Sequence, residues 1–383
     1  MICTSSKRRF TNPVGAAVFV ITALSGLTAC ESGASDTTAL DKVESALTAS
    51  SPSINGPAST GGNEAWNASM SRVPVPRNGC FRAIPPDTRW EEVPCVPTPV
   101  KARRRNQRAA GPALVGNGVD GMIFVNSGNI TSATGSFPTV TNVTNENIGG
   151  QNDAYSLQLN SNFVQGASLC NGAQNPATCS AWQQFMLNSG SPTTSSYIFI
   201  QYWLLNFNNT CPTNWIRSPT SVGNDCVFNS QSTNVPFQPI ANLASLKLTA
   251  SSTSSDVVQV STGSGLFARS LASVFNLQGI QPGWTGAEFN VVGDCCLTEA
   301  VFNTGATITT QLTVVNGNGS TASPLCVISG TTGETNSLTL VPESCCPFGS
   351  SASGILFTQT SASGVSAPFC LLKDLPPALT PLL

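Results

Sequence analysis

The sequence predicts an all-β protein: a two-sheet jelly-roll sandwich, stapled by disulfides and preceded by a disordered tether. Three observations predict it. From Gly111 to about Phe369, short runs with period-two alternation, rich in β-branched residues, are separated by clusters of Gly, Ser, Asn and Pro. Twelve cysteines follow Cys30, an even number that favours oxidised pairs in an exported chain. The body, 111–383, is large for one domain but normal for two packed sheets.

Residues 1–29 read as an address. Lys7, Arg8 and Arg9 form a positive start, Val14 to Leu27 an apolar core too short to span a bilayer, and Leu27-Thr28-Ala29-Cys30 a small-residue ending. That ending resembles the lipobox of bacterial lipoproteins, which implies a diacylated Cys30 and a lipid bilayer as partner. Ordinary cleavage, leaving Cys30 as a thiol and the protein secreted, is the alternative. Residues 30–71, mostly Ser, Ala, Thr, Gly and Asn, describe a flexible tether. Residues 72–110 are Pro-rich, hold Cys80 and Cys95, and end in a linker with five cations between Lys101 and Arg108.

From Ala109 onward four Lys or Arg (Arg217, Lys247, Arg269, Lys373) face eleven Asp or Glu, so the polar surface is Ser, Thr, Asn and Gln. A nucleic-acid partner would need a basic footprint on the folded body, and there is none. The chain has no histidine, which excludes a Ser-His-Asp triad, a Cys-His dyad and any His-containing metal site. No cysteine spacing resembles CxxC, and no metal or other cofactor is expected. Cys80 with Cys95, Cys170 with Cys179, and Cys211 with Cys226 are close enough to be local staples. Cys295, Cys296, Cys326, Cys345, Cys346 and Cys370 include two vicinal pairs, whose members should each reach a different partner because adjacent cysteines bond only with strain.

The clearest strands are Ala154–Asn160, Ala181–Leu187, Tyr197–Phe207, Ser245–Ala250, Asp256–Ser261, Gly286–Val292, Ala306–Val315, Ser337–Val341 and Gly354–Gln359. The second and third read as a hairpin. Leu266–Phe275 is the one candidate helix. Alternation places Ser156, Gln158 and Asn160 on one face, and Glu288, Asn290 and Val292 on one face. Tyr197, Phe199, Gln201, Trp203 and Phe207 form a third such set. Glu288 then belongs to a polar sheet face beside Gln158, rather than to the core.

Asn129–Thr141 (NITSATGSFPTVT), Ser156–Phe163 (SLQLNSNF) and Gly286–Asp294 (GAEFNVVGD) together resemble the glutamic peptidases, the eqolisins. That resemblance implies a concanavalin-like sandwich and acid endopeptidase activity, with Gln158 stabilising the oxyanion and a Glu activating water. The family's third motif reads Ala-Glu-aromatic-x-x-Glu, and its catalytic carboxylate is the second Glu. Here that position is Val292, and Glu288 matches the first. Four residues along a strand is about 13 Å. The segments YSLQLN, IQYWL, GAEFNVVGD and TGETNSLTLV also resemble a set of exported bacterial and fungal proteins with no assigned activity.

Three functions follow as expectations. The first is a non-catalytic envelope protein that presents Gln201, Trp203, Asn290 and Trp284 to a glycan or other polymer. The second is an acid peptidase using Gln158 and Glu288, with a peptide polymer as substrate and a desolvated carboxylate of raised pKa as base. The third, glycoside hydrolysis, would pair Glu288 with Glu299, Asp294 or Glu334 at about 5–10 Å; the chain has no E-x-D-x-E strand to support it.

Overall fold

A computed structural model describes residues 60–99, 114–116, 118–190, 195–272, 280–295, 297–317, 324–341, 344–348 and 353–363. The expected signal segment 1–29, Cys30, the basic linker, Cys296 and Cys370 lie outside them.

All-β architecture holds, with two sheets stacked face to face. From edge to edge, the larger sheet runs Glu91–Val93, Gly79–Ala83, Gly265–Ala272, Ser255–Thr262, Lys247–Ser252, Ile130–Thr141, Thr307–Asn316, Ser353–Thr360, Thr335–Leu340, Glu299–Phe302, Glu146–Ile148 and Gln151–Asn152. The other runs Ile216–Thr220, Gly223–Asn229, Ser195–Leu205, Ser180–Asn188, Tyr155–Ser161, Gly286–Gly293, Asp120–Val125 and Pro324–Ser329. All nine expected strands are present within one or two residues, and Ser180–Asn188 pairs antiparallel with Ser195–Leu205 as the expected hairpin.

The core lies between the sheets. Leu157, Leu159, Phe185, Leu187, Ile198 and Ile200 from one sheet meet Leu248, Val258, Val260, Ile308, Leu312 and Phe357 from the other. In the larger sheet each of these is followed by a polar residue on the opposite strand face, and burying the apolar face is worth about 25 cal/mol per Å². Phe289 and Gly135 show how close the layers come: a Cβ on Gly135 would lie 2.1 Å from the Phe289 ring.

Three sequence expectations change. Leu266–Phe275 is not a helix over its described part, where Gly265–Ala272 is a strand paired on both sides. Its Leu266, Phe267 and Ala268 are all buried, and a run covered on both faces shows no period-two signature. The end of the tether is ordered: Thr60–Met70 is a helix whose Met70 packs with Ala83 and Leu266, while Trp66 Nε1 donates to Asp87 O at 2.7 Å. The sandwich also begins upstream of residue 111, since Gly79–Ala83 adds to the edge of the larger sheet beside Gly265–Ala272. Glu91–Val93 pairs on its other side and forms the edge.

The three local disulfides form as expected, Cys80–Cys95, Cys170–Cys179 and Cys211–Cys226. Of the vicinal cysteines, Cys345 bonds Cys326, nineteen residues away, rather than its neighbour.

Candidate functional site

The polar face is built on the central strand Tyr155–Ser161. Gly286–Gly293 on one side places Glu288 opposite Asn160, Asn290 opposite Gln158, and Val292 opposite Ser156. Ser180–Asn188 on the other places Gln184 opposite Asn160, and the next strands add Gln201 opposite Gln184 and Asn229 opposite Gln201. Glu288, Asn160, Gln184, Gln201 and Asn229 therefore form one row across five strands.

Hydrogen bonds run along this row. Asn160 Nδ2 donates to Glu288 Oε2 at 3.1 Å, Gln184 Nε2 to Asn160 Oδ1 at 3.2 Å, and Gln201 Nε2 to Asn229 Oδ1 at 2.8 Å. Trp203 Nε1 bridges the middle, donating to Gln184 Oε1 at 3.1 Å and Gln201 Oε1 at 2.8 Å. Gln158 joins from the adjacent position: its Oε1 accepts from Gln184 Nε2 at 3.0 Å and Thr332 Oγ1 at 2.8 Å. Its Nε2 donates to Ser156 Oγ at 3.0 Å and, more weakly, to Glu334 Oε2 at 3.5 Å.

Glu288 is the anchor at the end of the row. Its Oε2 accepts from Thr331 N at 2.9 Å, Thr332 N at 3.3 Å, the Thr331 hydroxyl and Asn160. The segment between Pro324–Ser329 and Thr335–Leu340 is thus tied to one carboxylate oxygen. The other oxygen, Glu288 Oε1, and Asp120 Oδ2 have no hydrogen-bond partner. Two ionised carboxylates would repel each other in this buried site, and a proton held on Asp120 relieves that repulsion. Burial, and next the neighbouring Glu288 charge, push the Asp120 carboxyl well above the ordinary range. Burial also raises Glu288, although its four donors oppose the shift.

Asp120 Oδ1 accepts from Gly121 N at 2.8 Å and Asn290 Nδ2 at 2.9 Å, and Gln359 Nε2 donates to Asn290 Oδ1 at 2.6 Å. The network therefore reaches the second sheet.

These positions are closed to solvent. Gln158, Gln201, Trp203 and Glu288 are 1% exposed and Asn290 is 2% exposed. The face is polar as expected, but it is buried, with Thr331, Thr332 and Glu334 packed against Glu288 and Gln158, and alternation along a strand reports the side, not what covers it. Trp284 is not on this face: it is fully buried between the sheets and stacks on Phe185, centroids 5.9 Å apart. Phe207 also leaves its expected set, because the strand ends at Leu205, Asn206 takes a φ of 55°, and Phe207 turns into the core. Sequence reasoning missed Asn160 and Gln184 as linking amides, although both lie in phase with residues it did single out. It missed Asp120, whose contact with Asn290 spans 170 residues. Glu334, expected only as a glycosidase partner, lies beside Gln158. Among the described residues no cluster of three or more acids or cysteines could hold a metal.

Comparison with protein families and with curated proteins finds no match for this chain.

Proposed function

We propose that this chain is an exported protein of the bacterial envelope, lipid-anchored through Cys30, whose sandwich binds a glycan and carries out no chemistry. The observation that supports a non-catalytic reading is the state of Glu288. A general base needs a free lone pair within reach of water or substrate. Here one carboxylate oxygen is fully used by four donors, and the group is 1% exposed. Val292, where the eqolisin pattern has its catalytic Glu, is an apolar side chain fully buried opposite Ser156.

Paired cysteines support export, and no helix among the described residues is long and apolar enough to cross a membrane. A surface made of hydroxyls and amides rather than charges suits sugar hydroxyls. The test is a binding screen of the full chain, expressed in a bacterial host, against envelope and extracellular polysaccharides, with labelled palmitate in the growth medium. The reading expects palmitate incorporation that is lost in Cys30→Ser, and retention on at least one polysaccharide. An unlabelled protein retained by none would contradict it.

One observation favours a second reading. Glu334 Oε2 lies 3.5 Å from Gln158 Nε2, so a carboxylate does stand beside the family's oxyanion residue, supplied by a different segment from Val292. An acid peptidase with a Gln158–Glu334 dyad is the alternative.

A further inference from the structure

The outer face of the larger sheet carries a groove that the buried network does not use. It measures about 610 Å³ and lies over the strands Ile130–Thr141, Lys247–Ser252 and Ser255–Thr262, walled by the helix Thr60–Met70 and by the short helix Ile240–Ser245. Strand register sets its floor. Ser136, Lys247 and Ser261 stand opposite one another as one row across three strands, and of the next row, Thr134, Thr249 and Gln259, the last two line the groove. Each row offers hydroxyl or amide groups at about the 4.8 Å strand spacing. Thr134 and Thr249 already share a hydrogen bond at 3.1 Å. From the helical wall, Asn67 adds an amide and Ser71 a hydroxyl.

Among the described residues that line the groove, Lys247 is the one ionisable side chain. Lys247 is exposed, and the single ion pair among the described residues is Arg82–Glu91, elsewhere. In a body so poor in cations, Arg269 is spent on backbone carbonyls of Gln231, Gly79 and Ser270. A compact ammonium on a flexible stem, set in a row of neutral donors, suits an anion carried by a polar chain.

We propose that this groove is the carbohydrate site, and that its occupant is a glycan bearing an acidic group, either a uronic-acid carboxylate or a phosphate ester. Lys247 holds the anion, and the two rows on the floor meet the sugar hydroxyls. This deepens the glycan-binding reading above and rests on it.

The test is isothermal titration of the full chain with three probes: oligogalacturonate for the carboxylate, phosphorylated dextran for the phosphate, and plain dextran as neutral reference. At least one acidic probe should bind more tightly than plain dextran, and more weakly as salt rises. Lys247→Met, a change at an exposed position, should weaken that binding at least tenfold, while Lys247→Arg keeps it within about threefold. Which acidic probe binds decides between carboxylate and phosphate. Equal binding of plain dextran, or no effect of Lys247→Met, overturns the groove assignment while glycan binding stands. No binding by any probe overturns the acidic-glycan assignment; the polysaccharide screen then decides whether glycan binding itself survives.

Discussion

Thermal unfolding should give the highest Tm near pH 4 and a Tm lower by about 10 °C at pH 8. The cause is the set of buried carboxyls. Burial raises Asp120, Asp256 and Glu288, and lifts Glu146 to about 8. A carboxyl whose folded pKa is raised binds its proton more tightly in the native state than in the unfolded chain. Its contribution is fully present below the ordinary carboxylate range, about 4, and is lost as pH rises through the folded value. For Glu146 alone that window runs from about 4 to about 8, and it corresponds to about 4 kcal/mol of stability removed across it. The opposite contribution, from Glu91 held down by Arg82, belongs to an exposed pair and is small. Asp120→Asn supplies a neutral amide in place of the protonated acid. It should flatten the upper part of the curve, so that the variant loses less between pH 6 and pH 8 than the parent protein. A Tm that climbs from pH 4 to pH 7 would contradict this assignment of protons.

Removing the Glu288 side chain should have the largest effect of any single change on the polar face. Glu288→Ala leaves the backbone N–H groups of Thr331 and Thr332, the Thr331 hydroxyl and the Asn160 amide buried without their shared acceptor. It also leaves Asp120 without its neighbour. Buried donors stripped of a charged acceptor cost about 3–5 kcal/mol together, enough to unfold a marginal domain. Glu288→Gln keeps the shape and one carbonyl acceptor, and should lose about half as much. Urea unfolding at pH 5 measures both. A loss under about 1 kcal/mol in Glu288→Ala would mean that the carboxylate does not hold the 331–334 segment.

How much of this was legible in the sequence depended on what each residue's neighbours are. Period-two alternation exposed nine strands, and it put Glu288, Asn160 and Gln158 in phase before their pairing was seen, because a strand's side chains must alternate. Leu266–Ala272 defeated the same logic: with both faces covered, its apolar residues run on without a period. The Gly79–Ala83 strand was hidden by averaging over a Pro-rich stretch, although its Cys80–Cys95 pairing was readable from spacing. Asp120 and Glu334 reach the site from segments remote in sequence: antiparallel pairing of Asp120–Val125 with Gly286–Gly293 brings Asp120 to Asn290, and Glu334 comes to Gln158 from the start of Thr335–Leu340 in the other sheet. Lys247 was visible as one of few cations, but nothing in its own strand revealed a wall beside it.

The most direct test of a structural rather than catalytic role for the acid–amide cluster is digestion of an unfolded protein substrate by the full chain. It should be run from about pH 2 to 7, where a carboxylate base would titrate, beside Gln158→Ala, Glu288→Gln and Glu334→Gln. The account predicts no cleavage by the parent protein at any pH in that range. Cleavage that disappears in Gln158→Ala and in either Glu variant would contradict it, and would establish a peptidase with a rearranged dyad.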